Sequence, residues 1–104
     1  MSEPTIAVRD NPDARRYEVS VDGEVAGFAQ YRAQPGVLTF THTEIDDRFE
    51  GEGLGSRLVS FALDDARAHD LTVIPICPFV RSYIQRHREY GELVPEERRA
   101  EFDL

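Results

Sequence analysis

The chain has 104 residues, 40% of them hydrophobic and 31% charged, with a net charge of -8. A chain of that length forms one domain, residues 1–104, and closes its core without a structural metal or disulfide. The acidic balance excludes a general nucleic-acid or anionic-membrane surface, and no apolar run approaches the roughly 20 residues of a membrane-spanning helix.

The N-terminal stretch "MSEPTIAVRD" has neither a basic nor an apolar signal region, which predicts a cytoplasmic location. All 12 basic residues are arginine, so an anionic ligand has to be held by backbone N–H groups or by arginines. Cys77 is the single cysteine. It excludes an internal disulfide, and with three histidines the chain offers no metal site.

In chain order, the N-terminal half reads as strands. Thr5–Arg9 is a short apolar run ended by the turn cluster "DNPDA". Arg16–Val21 alternates polar and apolar residues, and Asp22-Gly23 is a strong hairpin signal. Glu24–Arg32 continues as a strand, with Gly27 either weakening it or marking a bulge. Pro35-Gly36 makes the next turn, and Val37–Ile45 alternates again. The three central strands predict an antiparallel meander.

After Asp46 the period changes. Leu54, Leu58, Ala62 and Ala66, with Val59, Phe61 and Leu63 alongside, fit the stripe of an amphipathic helix. Asp64 and Asp65 fall on a charged face of it. Thr72–Ile76 reads as a compact buried strand, and Pro78 suits the first turn of a second helix. Phe79, Val80, Tyr83, Ile84 and His87 give that helix its apolar face. The tail "PEERRAEF" reads as a short, polar, solvent-facing helix. The order β-β-β-β-α-β-α with one parallel crossover predicts an α/β fold with a mixed sheet, an antiparallel meander followed by a β-α-β-α unit.

Gly51, Gly53 and Gly55 lie between a strand and a long helix. Such a loop presents backbone N–H groups and the positive end of the helix dipole to an anion. A glycine-rich connection that only turns the chain is the plainer reading. A Walker A loop requires a lysine that this chain lacks. The dinucleotide fingerprint requires a sixth-place glycine, where Ser56 or Leu58 stands.

The run Glu50–Gly55 resembles the acyl-CoA pyrophosphate loop of the GNAT N-acetyltransferases, with Gly53 and Gly55 on its two small positions and Glu50 in place of Gln or Arg. The wider pattern "HTEI…EGEGLGSRLV…ALDDAR…L.VIPICPFVRSYIQRHREY" resembles the small, single-domain GNAT-like N-acetyltransferases. Its most specific part is "CPFVRSYI" with "RHREY", and the match runs from Tyr17 to Val94. The resemblance implies a reduced GNAT fold with acetyl-CoA as cosubstrate, its pyrophosphate on the segment Gly51, Glu52, Gly53, Leu54, Gly55 and Ser56. It further implies that Val37–Ile45 and Thr72–Ile76 splay apart, with the pantetheine arm between them. Pro75 agrees, because proline in a strand fits best where pairing stops. Backbone groups of Thr43, Glu44 and Ile45 would then bond the pantetheine amides, with Pro78 and Phe79 close by.

Cys77 stands between the last strand and the second helix. By position alone it is a small buried hydrophobe or a thiol activated at a helix N-terminus. The resemblance places it at the cysteine taking part in acetyl transfer, as nucleophile or proton-handling group. His42 shares the alternation of Phe40, which predicts that it faces the gap across from Cys77 as a base, unless it is a structural histidine. Glu44 is a second base or a solvated carboxylate. Tyr83 falls near the tyrosine that protonates the leaving CoA sulfur in GNAT enzymes, and also on its helix's core stripe. His69 and His87 have surface or packing roles.

These readings predict an acetyl-CoA-dependent N-acyltransferase acting on a small amine or an exposed protein amine, by direct transfer or through acetyl-Cys77. A non-catalytic acyl-CoA-binding or sensing module is the second reading, and a small interaction domain without ligand the third. Neither nucleic acid nor membrane is expected as a partner, and the chain is expected as a monomer or weak homodimer.

Overall fold

The computed structural model describes residues 3–104. Five strands form one sheet in the order β1-β2-β3-β4-β5. They are β1, Ile6–Asn11; β2, Arg16–Val21; β3, Glu24–Gln34; β4, Val37–Ile45; and β5, Thr72–Pro75. The first four are antiparallel neighbours and β5 lies parallel to β4. Helix α1, Leu54–Ala68, crosses between β4 and β5, and α2, Pro78–Arg86, follows β5. This is the α/β fold with a mixed sheet that the alternation and the change of period predict.

The turns have local causes. Asp22 and Gly23 take φ of 50° and 86°, the left-handed pair that lets a two-residue turn follow the twist of its strands. A single 3-10 turn, Pro12–Ala14, joins β1 to β2. Beside Gly27 the register of β2 on β3 shifts between Val19 and Ser20, so the bulge lies there. A side chain at Gly27 would collide with the Glu44 carbonyl oxygen and Ile45, which explains the absence of one.

Leu54, Leu58, Val59, Ala62, Leu63 and Ala66 of α1 are all buried. Each such leucine contributes about 1.5–3 kcal/mol by leaving water. They meet Val19, Ala29, Leu38, Phe40 and Val73 of the sheet in one continuous cluster. Tyr17 crosses this layer with its ring 5.3 Å from Tyr31 and 6.2 Å from Phe40, and its hydroxyl donates to Asp65 of α1 at 2.7 Å. Tyr90 donates to Asp64 at 2.8 Å. The two aspartates are therefore tied to tyrosines, where the sequence suggests only a charged helix face. Burial and these carboxylates hold both phenols above their usual range.

Four further expectations are corrected. β1 runs two residues past Arg9 to Asn11, and β3 runs to Gln34. Phe61 is 40% exposed and meets the Tyr17 ring edge-on. The tail forms two 3-10 turns, Glu96–Arg98 and Ala100–Phe102, not an α-helix, and it is not wholly solvent-facing: Phe102 is buried in the common cluster, as is Val94 just before the tail. Among the described residues no helix is long and apolar enough to cross a membrane.

Candidate functional site

The parallel pairing of β4 with β5 covers four pairs, from Val37↔Thr72 to Phe40↔Pro75, and stops there. Pro75 is the last paired residue of β5, as its missing N–H requires. The N–H of Cys77 then donates to the Phe40 carbonyl at 2.9 Å, which closes the base of the gap. β4 runs on to Ile45, paired only with β3. Backbone groups of Thr41–Ile45 on that side thus face the gap without a strand partner, the splay that the family resemblance implies.

A groove of about 270 Å³ lies beside this gap, lined by Ile45, Phe49, Glu50, Gly51, Gly53, Leu54, Gly55, Ser56 and Phe79. Gly53 is the N-cap of α1 with φ 74°, a left-handed conformation that costs an L-residue about 1–2 kcal/mol. No side chain caps the helix, and the first intrahelical bond runs from the Arg57 N–H to Gly53. The N–H groups of Leu54, Gly55 and Ser56 therefore precede the ladder and open onto the groove, at the positive end of the helix dipole. Of the residues expected to seat a pyrophosphate, Gly51, Gly53, Leu54, Gly55 and Ser56 line it and Glu52 does not. Phe49 and Glu50 line it too; Phe49 carries no motif signal.

Helix α2 begins at the far side of the groove. Pro78 is its first residue and Cys77 its N-cap, with φ -60° and ψ 123°. Phe79 is 39% exposed and lays its ring against Gly55. The N-termini of the two helices thus meet at one end of the sheet. Cys77 is 3% exposed, and its sulfur lies 3.3 Å from the hydroxyl oxygen of Thr43.

The expected juxtaposition of His42 with Cys77 is not what the fold provides. Gln30 pairs with His42 and Tyr31 with Phe40, so Thr41 is an extra residue in β4. That bulge inverts the alternation beyond it. Phe40 and Thr43 share the face covered by α1, whereas His42 and Glu44 lie on the opposite face. There the His42 ring meets Phe28 edge-on at 6.1 Å, and its Nε2 lies 3.6 Å from Glu44. Both side chains are more than half exposed. The residue facing Cys77 across the gap is Thr43.

Tyr83 is buried, with its ring stacked on His87 at 4.1 Å and tilted against Tyr90 at 6.0 Å. The fold thus places it on the core stripe of α2. Phe79, Val80, Tyr83 and Ile84 do form one side of α2, and His87 caps its end.

A family profile described as GCN5-related N-acetyl-transferase matches residues 16–93, more than half of the chain. The chain belongs to this family. No curated protein matches it. The GCN5-related N-acetyltransferases transfer an acyl group from acyl-CoA to an amine, and acetyl-CoA is their usual donor. The sheet of this member, an antiparallel meander followed by a parallel β4–β5 pair, agrees with a reduced form of the family fold. Its uncapped α1 N-terminus and the open edge of β4 are chemically suited to the two polar parts of an acyl-CoA, the pyrophosphate and the pantetheine amides.

Proposed function

We propose that the protein is an acetyl-CoA-dependent N-acyltransferase acting on a small amine or an exposed protein amine, with Cys77 as the group that receives the acyl chain. The observation that carries this reading is the position of Cys77. It stands at the N-cap of α2 at the closed end of the β4–β5 gap, two residues before Phe79, which lines the groove of the glycine loop. When bound, acetyl-CoA supplies an acyl group activated as a thioester.

The N–H groups of Leu54, Gly55 and Ser56 hold the pyrophosphate, replacing the lysine that the chain lacks. The open backbone of Thr43, Glu44 and Ile45 orients the pantetheine arm. Phe79 gives the arm an apolar wall, and Pro78 starts the helix that carries it.

Cys77 attacks the thioester carbonyl. A new carbon–sulfur bond forms on Cys77, the bond to the CoA sulfur breaks, and the proton lost by Cys77 ends on the departing thiol. An acceptor that arrives as an ammonium ion first gives one proton to solvent; the free amine then attacks acetyl-Cys77, the bond from the acyl carbon to the Cys77 sulfur breaks, and the amine's second proton passes to that sulfur to regenerate the thiol. Nucleophile and leaving group are both thiols, so the exchange is close to balanced, and a strong base is required only for the amine. Tyr83 serves this site by anchoring α2 in the core, buried and packed against Tyr90.

The burial of Cys77 gives a second reading some support, in which the chain binds acyl-CoA as a sensing module without turnover. Turnover with a panel of primary amines separates the two. The transferase reading expects acetylated product and its near-complete loss in Cys77→Ala. Product formation unchanged in Cys77→Ala removes the cysteine route. Binding of CoA without product from any amine favours the sensing module.

A further inference from the structure

The contact between Thr43 and Cys77 joins two residues 34 apart in sequence and bridges the place where β4 and β5 separate. We propose that Thr43 is the positioning residue for the Cys77 thiol, its hydroxyl fixing the sulfur in the gap and donating a hydrogen bond to it when it carries negative charge. This inference rests on the proposed role of Cys77 and assigns to Thr43 the place that sequence alternation gives to His42.

Three observations support it. The first is geometric: Oγ1 and Sγ are 3.3 Å apart, and among the described residues Thr43 Oγ1 is the one polar side-chain atom within hydrogen-bond reach of that sulfur. The Cys77 N–H is already used by the Phe40 carbonyl, and the sulfur makes no capping bond to α2. The second is burial. With Cys77 3% exposed, water is scarce at the sulfur, so a fixed donor replaces the solvation that an ionised thiol would otherwise lose.

The third is the bulge at Thr41. Without that extra residue His42 would share the face of Phe40, and Thr43 would point to the opposite one. The irregularity of β4 therefore decides which side chain meets the thiol. A threonine suits the place: a neutral thiol lets either atom donate, whereas a thiolate accepts only, and the hydroxyl rotates between the two roles. The methyl group keeps the rest of the side chain apolar at a part-buried position.

The test uses the chain's single thiol as its own reporter. Thr43→Val keeps the shape and removes the hydroxyl; Thr43→Ala removes it without any added bulk; Thr43→Ser restores it. At fixed neutral pH, alkylation of Cys77 by a small uncharged iodoacetamide is expected to slow about tenfold or more in the Val and Ala variants, the effect of losing a hydrogen bond to a charged group. In Thr43→Ser the rate should return to within about threefold of the parent. In turnover, kcat falls by a similar factor in Val and Ala while KM for acetyl-CoA stays within about twofold. Urea midpoints measured in parallel identify any variant that has lost its fold, and Ala and Ser then decide the matter.

Alkylation as fast in both hydroxyl-free variants as in the parent overturns the inference. So does a Ser variant as slow as Val. Failure of the Cys77 reading is read separately: Cys77→Ala retaining full turnover ends the cysteine route, while the alkylation rates still report whether Thr43 governs the thiol.

Discussion

The ring of Phe79 rests on Gly55 so closely that a Cβ at position 55 would sit well inside van der Waals contact with it. The sequence presents Gly55 as a place for backbone to approach phosphate. The structure adds a packing reason: Gly55 lets the first turn of α1 touch the first turn of α2. Gly55→Val forces Phe79 out of this seat and into the groove, at a cost of about 1–3 kcal/mol. CoA affinity by titration calorimetry is expected to fall about tenfold or more. Combining Gly55→Ala with Phe79→Ala should cost less than the sum of the two single changes, because the clash needs both partners.

Gly53 differs in kind. Nothing lies within 4 Å of the place where its Cβ would stand, so space is no obstacle, but its φ is 74°. Gly53→Ala is therefore expected to destabilise the fold by about 1–2 kcal/mol through backbone strain. The check is the urea midpoint without ligand. An unchanged midpoint together with full CoA affinity contradicts the account of the α1 N-cap.

Much of this arrangement is legible in the sequence, and the exceptions have physical reasons. Turn signals at Asp22-Gly23 and Pro35-Gly36 delimit the meander, the stripe from Leu54 to Ala66 gives α1, and Pro75 marks where strand pairing ends. The bulge at Thr41 leaves no trace, because "TFTHTEI" alternates without interruption and an inserted threonine resembles its neighbours. That one unreadable residue moves His42 from the gap and brings Thr43 to it. The tyrosine partners of Asp64 and Asp65 lie 26 and 48 residues away, beyond any local pattern. The buried Phe102 comes from a segment too polar to show a periodicity.

The bond between Tyr17 and Asp65 gives a prediction that separates packing from hydrogen bonding. Tyr17→Phe removes the donor and leaves Asp65 a partly exposed carboxylate, at an expected cost of about 0.5–1.5 kcal/mol. Asp65→Ala leaves the buried phenol hydroxyl without this acceptor and costs more, about 1–3 kcal/mol. Equilibrium urea unfolding of both variants gives the order. A larger loss in Tyr17→Phe contradicts it.

Glu18 supplies a pH dependence. Its side chain is 3% exposed on the face of the sheet opposite α1, where Arg9, Arg16 and Asn11 donate to it at 2.9, 2.8 and 3.1 Å. Burial pushes its carboxyl upward, but the bonds from Arg16 and Asn11, with the charges of Arg16 and Arg9, outweigh that and hold it below its ordinary value of 4.5. A depressed folded value means that the carboxylate stabilises the protein above the unfolded value and that this contribution is lost as pH falls through the folded one. Glu18→Gln should therefore be less stable than the parent at neutral pH, with the gap closing on acidification below 4.5. Urea midpoints taken across that range give the answer, and a gap that widens in acid contradicts the sign.

The central claim is that the groove beside the glycine loop holds acyl-CoA and that Cys77 receives its acyl group. Mass spectrometry of the intact protein after mixing with acetyl-CoA tests it most directly. Under native conditions the account predicts a one-to-one complex with CoA. Under denaturing conditions it predicts a single acetyl adduct that fragmentation places on Cys77 and that is absent from Cys77→Ala. Absence of both complex and adduct, or an adduct that persists in Cys77→Ala, would contradict it.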